Sequence, residues 1–188
     1  MSTWQNKGRV RLRRWEEKSD SLEALTGLLH DAYAQHAAEG RRFFASHQTN
    51  ADTAYRLRGA ECWLAHIDGA LVGTVTVAAP SRTAESPHHG GNSYYDRPAV
   101  GTSYQLAVAS HLIKHGIDDS LLRKAEQQLV ELGAETAVID TSEHAHELLG
   151  WYERRGYARI GELDWSNTNY RSIVLEKAVT RTRQINAD

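Results

Sequence analysis

The stretch LAVASHLIKHGIDDSLL, residues 106–122, constrains the fold most, because it predicts an apolar strand, a polar turn and a helix in succession. The helix prediction rests on apolar residues at helical spacing before Gly133, namely Ile117, Leu121, Leu122, Ala125, Leu129 and Leu132. The first N–H groups of a helix lack intrahelical partners, so a phosphate is stabilised there. Gly116 allows a ligand to approach the backbone. By itself, however, this stretch fits a connection without a ligand better.

A second strand and a second helix follow. Residues 135–141, ETAVIDT, predict a buried strand, and LLGWYERRGY at 148–157 predicts the end of a helix with a Tyr-x-x-x-Gly-Tyr pattern. This order of strand, glycine-containing turn, helix, strand and helix resembles the GNAT-type N-acetyltransferases over about residues 10–178. The closing segment, GELDWSNTNYRSIVLEK at 161–177, is similar to that of small bacterial members.

The resemblance implies an α/β fold with α+β layers, in which helices flank a mixed, mostly antiparallel central sheet. We expect that sheet to splay where the strand ending near Val108 parts from the strand beginning near Glu135. The resemblance also implies acetyl-CoA as co-substrate, with its pyrophosphate on the turn before the first of these helices, and no metal. The residues implied to bind acetyl-CoA are Leu106, Ala107, Val108, Ile113, Lys114, His115, Gly116, Ile117, Asp118, Asp119 and Ser120.

The turn departs from the family pattern, which has Arg or Gln, then Gly, then Gly or Ala. Ile113, Gly116 and Asp118 occupy these three places, so only the glycine matches. The absent Arg or Gln removes a charge-assisted bond of about 1.5–3 kcal/mol. Asp118 would repel two phosphates by roughly 3 kcal/mol at an effective dielectric of about 20, unless it points away as a helix-stabilising carboxylate. Lys114 and His115 add positive charge that offsets part of this loss.

Tyr152 stands where the family has a tyrosine that protonates the departing coenzyme A thiolate, so the resemblance implies a catalytic acid there. The alternative is that Tyr152 packs in the core with Trp151 and Tyr157 at the end of an amphipathic helix. The asparagine often found earlier on that helix is absent. His144 and His146 lie in the corresponding region and face either the cofactor or, as the preferred interpretation, the solvent.

The sequence does not identify a general base by spacing, and a water-mediated route is the alternative. The side chains in or near the expected segments are Tyr104, Gln105, Asp96 and Glu85. By resemblance, the backbone around residues 106–108 polarises the thioester carbonyl. Acceptor specificity is expected from the first two helices, the loop 79–96 and the turn 164–170. Phe43 and Phe44 either pack on the core, the favoured interpretation, or line a substrate cleft.

The amino-terminal part of the chain predicts one strand and two helices. Residues 10–15 alternate between apolar and charged side chains, as in a half-buried strand. Asp20 with Glu23 resembles a capping box at the start of the first helix. A second, shorter helix is expected over residues 51–58, with Asn50 as its cap.

A hairpin and a long loop come next. Residues 61–68 and 71–78 predict two strands, joined through Asp68 and Gly69 in a tight antiparallel turn. The loop 79–93 contains two prolines and two adjacent glycines, and it is either a functional lid or an insertion.

The length fits one domain, and the resemblance implies that this is a GNAT-like domain over residues 1–188. The net charge of -2 gives no electrostatic case for a nucleic-acid or membrane partner, although arginines cluster in the first predicted strand. The single cysteine, Cys62, excludes an intrachain disulfide and suits a reducing compartment. No apolar run is long enough for a secretory signal or a bilayer span, so we expect a cytoplasmic protein.

Three functions follow from these patterns. The leading hypothesis is an acetyl-CoA-dependent N-acetyltransferase that acts on the amine of a small molecule or peptide, with a homodimer as a candidate assembly. The alternative is a GNAT-fold ligand-binding or interaction module with impaired catalysis, which the altered turn would explain. The third is a metal hydrolase, for which the sequence offers only weak signals at His88, His89, His144 and His146.

Overall fold

The computed structural model describes residues 9–80 and 92–180. Its strands are β1 (Arg11–Arg14), β2 (Glu61–Ile67), β3 (Ala70–Ala78), β4 (Val100–Val108), β5 (Thr136–Ser142), β6 (Ala158–Asp164) and β7 (Arg171–Ala178). They form one seven-stranded sheet in the order β1-β2-β3-β4-β5-β7-β6. Within the described ranges β4 and β5 pair in parallel, and every other neighbouring pair is antiparallel. The predicted mixed, mostly antiparallel sheet is therefore confirmed.

Helices cover both faces of this sheet. They are α1 (Leu22–Ala38), α2 (Asn50–Leu57), α3 (Ile117–Glu131) and α4 (His146–Glu153). Leu64 of β2 belongs to a buried cluster with Leu25 of α1, whereas its neighbour Ala65 belongs to a cluster with Leu121 of α3. Because successive strand residues point to opposite faces, α1 and α3 lie on opposite sides of the sheet.

The sheet opens between β4 and β5. Their pairing is limited to residues 100–102 of β4 and 136–138 of β5. Both strands continue past this point, β4 to Val108 and β5 to Ser142. The edge of β4 over residues 103–108 therefore has no pairing with β5, and the predicted splay is confirmed.

A β-bulge lies in the unpaired half of β4. Thr74 of β3 pairs with Ala107, and Thr76 pairs with Tyr104, so two residues of β4 face one residue of β3. One of these two, Gln105, has a positive φ of 53°. A bulge of this kind bends its strand and increases the local twist, which favours the separation of β4 from β5.

The predicted hairpin is confirmed, since β2 and β3 are joined through Asp68 at φ 51° and Gly69 at φ 84°. Two positive φ values in succession are those of a type I′ turn, whose twist matches that of the flanking strands. The element order that the sequence predicts is also found.

The predicted caps of α1 and α2 were wrong. Ser21, and not Asp20, caps α1 by accepting a hydrogen bond from the N–H of Ala24. The Asp20 carboxylate instead forms a salt bridge with Arg13. At α2 a capping box begins one residue earlier than predicted, with Thr49 as the cap in place of Asn50. In both cases the side chain of a neighbouring residue accepts the hydrogen bond from the free N–H group.

Part of the long loop lies outside the described residues, and with it Glu85, His88 and His89. Within the described ranges, no helix has the length and apolar character needed to cross a membrane.

Candidate active site

The opening between β4 and β5 leads into a cleft of about 380 Å³. Its walls come from both strands, α1, α2, α4, the 3-10 turn Phe44–Ser46 and the turn between β6 and β7. Its polar and aromatic lining includes Tyr33, Arg56, Tyr104, Asp140, Tyr152 and Tyr170. Among the described residues that line the cleft, Arg56 and Asp140 are the charged ones. The cleft thus offers one cation and one anion between aromatic walls.

The turn between β4 and α3 leaves the N-terminus of α3 open. Gly116, with φ 76°, is the N-cap of α3, and no described side chain accepts a hydrogen bond from the first helical N–H groups. A Cβ added at Gly116 would meet no described heavy atom within 4 Å, so the space beside the Gly116 Cα is open within the described structure. Unpaired N–H groups beside open space fit the binding of a phosphate.

The two first-turn carboxylates of α3 have different surroundings. Asp119 forms a salt bridge with Arg155, whose guanidinium also lies 3.9 Å from the centre of the Trp151 ring. The hydrogen bond from Arg155 lowers the pKa of Asp119 below its ordinary value. Asp118 forms no salt bridge with any described residue. Arg155 therefore neutralises one of the two negative charges beside the open helix end.

Tyr152 has a packed ring and a hydroxyl beside the cleft. The side chain is 7% exposed, and its ring contacts those of Trp151 and Tyr157 at centroid distances of 4.9 and 5.4 Å. Burial raises the pKa of Tyr152, so the hydroxyl keeps its proton at neutral pH. It forms no hydrogen bond with the described residues, although Tyr152 lines the cleft. A protonated hydroxyl is thus available to a ligand.

The carboxylate of Asp140 is held in place by two donors. The Tyr95 hydroxyl donates to Oδ1 at 2.6 Å, and the Trp165 indole Nε1 donates to Oδ2 at 2.8 Å. Tyr95 is 1% exposed, which fixes one side of the carboxylate. Each carboxylate oxygen accepts about two hydrogen bonds, so Asp140 can also accept from an ammonium or amine in the cleft.

The described side chains considered as general bases do not fit that role. Burial raises the pKa of Tyr104 to about 12, and its hydroxyl donates to the Arg56 carbonyl at 2.7 Å. Gln105 has no titratable group. Asp96 is exposed and does not line the cleft, and Glu85 lies outside the described residues. A base among the described candidates would therefore have to act through water.

Phe43 combines both of its predicted roles. It is 8% exposed, as expected for core packing, and it also lines the cleft. Its ring lies 5.3 Å from that of Tyr33 and 5.0 Å from that of Tyr170. Close by, the Asn169 amide donates to the Gly40 carbonyl at 2.9 Å and accepts from the Arg42 N–H at 2.9 Å. These two hydrogen bonds connect the β6–β7 turn to the segment that follows α1, on one side of the cleft.

The sequence of residues 22–157 matches the acetyltransferase (GNAT) family, and this range is more than half of the chain. The protein belongs to the GNAT acetyltransferase family. The opened mixed sheet is the fold of this family, and family membership assigns acyl transfer to the chain as its class of reaction.

Individual proteins are similar to this chain in sequence or in fold. The S-(2-succino)cysteine N-acetyltransferase of Bacillus subtilis (strain 168) is 28% identical over 144 residues, which are 76% of this chain and 81% of the relative. The ribosomal-protein-S18-alanine N-acetyltransferase from Escherichia coli has a similar structure, with a TM-score of 0.66, 12% identity and coverage of 94% and 98% of the two chains. A GNAT acetyltransferase from Elizabethkingia anophelis with acetyl-CoA bound gives a TM-score of 0.59 at 13% identity, covering 90% and 97%.

The residues that the sequence predicts for acetyl-CoA lie within one segment, residues 106–120. Residues 106–108 end β4, 113–116 form the turn, and 117–120 begin α3. Ala107 and Ile117 are 4% and 1% exposed, so their side chains belong to the core and only their backbones can contact a ligand.

His144 and His146 are exposed, which agrees with the preferred interpretation that they face solvent. No group of three metal-binding side chains occurs in the part of the chain that the structure describes.

Sequence reasoning did not single out Arg56, Asp140 or Trp165. Arg56 and Trp165 do lie in segments expected to set acceptor specificity, the second helix and the turn 164–170. A signal for Asp140 existed, because a carboxylate near the end of an otherwise apolar strand must find polar partners. Arg56 gave no comparable signal, since an arginine in the last turn of a short helix usually lies in solvent.

Proposed function

We propose that the protein transfers the acetyl group of acetyl-CoA to the amine of a small molecule or peptide, by direct attack within a ternary complex. The parting of β4 from β5 after residue 102 carries this proposal. The unpaired edge 103–108 borders the cleft that contains Asp140 and Tyr152, and the same strand continues into the turn before α3. The name of the Bacillus subtilis relative favours a small-molecule acceptor.

The open end of α3 is the proposed site for the pyrophosphate. Acetyl-CoA supplies the acetyl group as a thioester. The N–H groups of the first turn of α3 donate to the phosphates, and Gly116 leaves room for them. Backbone N–H groups of residues 106–108 on the edge that does not pair with β5 donate to the thioester carbonyl and stabilise the charge that develops on its oxygen.

Asp140 and Tyr152 have complementary proposed roles. Asp140 accepts a hydrogen bond from the acceptor's ammonium and holds the nitrogen in the cleft, while water carries away the proton that must be lost before attack. Tyr152 gives its proton to the sulfur as the C–S bond breaks. The proton lost by the new amide nitrogen then restores the Tyr152 hydroxyl by way of water.

A ligand-binding module with impaired catalysis is the second candidate, and the position of Asp118 favours it. The carboxylate lies in the first turn of α3 without a salt bridge to a described residue. Repulsion between this charge and a pyrophosphate weakens the binding of coenzyme A. The two candidates differ in whether bound acetyl-CoA is turned over.

A panel of amines incubated with acetyl-CoA tests the proposal, with free thiol release and the mass of the product as readouts. We expect an acetylated amine for at least one acceptor, and a strong loss of turnover in Asp140→Asn. Asp96→Asn is the matched control, because Asp96 is exposed and lies outside the cleft. The proposal fails if acetyl-CoA binds but no amine is acetylated, a result that would favour the module.

A further inference from the structure

Arg56 is the cation of the cleft, and its guanidinium is enclosed by aromatic side chains. Its Cζ lies 5.1 Å from the ring centre of Tyr104 and 5.5 Å from that of Phe44. The Nε atom is buried and has no hydrogen-bond partner among the described residues. A guanidinium presents five N–H donors, and an unmatched donor in a buried position costs free energy.

No anion of the described chain pairs with this guanidinium. Arg56 forms no salt bridge with any described residue, although Asp140 lines the same cleft. The pKa values of Tyr33 and Tyr104 are raised to about 12 by burial, so both phenols are neutral at physiological pH. Asp52, on the same helix, accepts hydrogen bonds from the backbone and hydroxyl of Thr49 in the capping box.

A buried polar network holds Arg56 in this position. Its Nη1 donates to Oε1 of Gln48 at 2.8 Å, and Gln48 is fully buried. The Gln48 amide in turn donates to the Thr53 hydroxyl at 2.6 Å, and that hydroxyl lies 2.8 Å from the hydroxyl of Thr26. The guanidinium is therefore oriented before any ligand arrives, as expected of a binding group.

We propose that Arg56 binds a carboxylate of the acceptor, so that the substrates are small amines carrying a free carboxylate, of the amino-acid class. The inference rests on the proposed function and adds the substrate class to it. A planar guanidinium matches a carboxylate through two parallel N–H···O bonds. Asp140 on β5 receives the ammonium of the same molecule, so the two charges of the cleft match the two charges of a zwitterion. The aromatic walls contact what lies between.

Matched pairs of acceptors test this inference in the wild-type protein. Each pair consists of a free amino acid and its carboxamide, at equal concentration of deprotonated amine, with acetyl-CoA saturating. We expect kcat/KM to be about 10- to 100-fold higher for the amino acid, the range for losing a hydrogen bond to a charged partner. This comparison requires no variant and is unaffected by any folding defect.

The same pairs of acceptors are then compared with the variant Arg56→Gln. We expect this variant to lose the preference for the amino acid over its carboxamide, through a higher KM for the amino acid, while the KM for the carboxamide stays within about twofold. Arg56→Lys keeps the charge without the planar fork, and we expect it to restore part of the preference. Arg58→Gln is the control, since Arg58 is exposed, lies 4.7 Å over the Tyr55 ring and does not line the cleft.

The outcomes separate this inference from the proposed function. Acetylation of both members of each pair at equal rates would overturn the carboxylate inference and leave the acetyltransferase proposal intact. An equal rise in KM for both acceptors in Arg56→Gln would show that Arg56 supports the cleft without binding the carboxylate. That result would also overturn the inference. Absence of any acetylated product would count against the proposed function itself.

Discussion

Arg155, at the end of α4, forms a salt bridge with Asp119 in the first turn of α3. The Asp119 side chain is 33% exposed and that of Arg155 25% exposed, so solvent screens the pair only in part. The pair links two helices and places a fixed positive charge beside the helix end proposed for the pyrophosphate.

Arg155→Gln should lower stability in a pH-dependent way. Arg155 lowers the pKa of Asp119, so the stabilisation is complete above the unfolded pKa of about 3.9 and is lost as the pH falls through the folded value. We expect a loss of about 0.5–1 kcal/mol at pH 7 that disappears at lower pH, measured by denaturant unfolding between pH 7 and about 2.5. Arg154→Gln is the control, because the exposed Arg154 forms no salt bridge with a described residue. A loss of the same size at every pH would contradict the prediction.

Gly116→Val should weaken coenzyme A binding far more than it lowers stability. Its left-handed φ of 76° costs a side chain roughly 1–2 kcal/mol, and the added atoms enter the space proposed for the phosphates. We expect a Kd at least about tenfold higher by isothermal titration. Gly133→Val, at φ 88° and also without atoms near the added Cβ, carries the same backbone strain at the far end of α3. If both variants bound coenzyme A equally, Gly116 would be a structural glycine.

Tyr152→Phe should slow acetyl transfer and leave coenzyme A affinity unchanged. The substitution keeps the packed ring and removes a hydroxyl that has no hydrogen bond in the described structure, so stability should change little. General acid catalysis contributes roughly 100-fold or more, which sets the expected fall in kcat. Tyr157→Phe serves as the control, since Tyr157 does not line the cleft. An unchanged kcat would rule out the Tyr152 hydroxyl as the acid.

Asp118→Ala should tighten coenzyme A. Removing a carboxylate from the first turn of α3 relieves a repulsion on the order of 1–3 kcal/mol, and the gain should shrink at high salt. Isothermal titration at two salt concentrations measures it, with Glu23→Ala in the first turn of α1 as the control. No binding in either the wild type or Asp118→Ala would support the module.

The sequence predicted those parts of the fold that depend on local periodicity. Helix α3 follows from its apolar spacing, and the β2–β3 hairpin follows from Asp68 and Gly69. The caps of α1 and α2 failed, because neighbouring Ser, Thr, Asp and Asn residues compete for the same N–H groups. Which side chain forms the cap depends on the other contacts that each one makes. Asp20, for example, forms a salt bridge with Arg13, and Ser21 caps α1 in its place.

The cleft was predicted only in part, because its charged residues come from distant segments. Arg56, Asp140 and Trp165 lie on α2, on β5 and after β6, and no local pattern joins them. The contacts that bring these residues together are long-range, such as the hydrogen bond that Trp165 donates to Asp140. The resemblance indicated Tyr152, which lines the cleft, because Tyr152 stands in a continuous motif.

The extra residue in β4 sets the course of the strand without changing which face its paired side chains occupy. Tyr104 and Ala107 pair with Thr76 and Thr74, which are two residues apart in β3 and so share a face. Tyr104 and Ala107 therefore lie on one face as well, although three positions separate them. Deleting one residue between them would restore a regular ladder and leave Ala107, 4% exposed, in its buried cluster with Leu64. The bend at the bulge would be lost, so we expect the deletion to spare the core and to narrow the opening between β4 and β5.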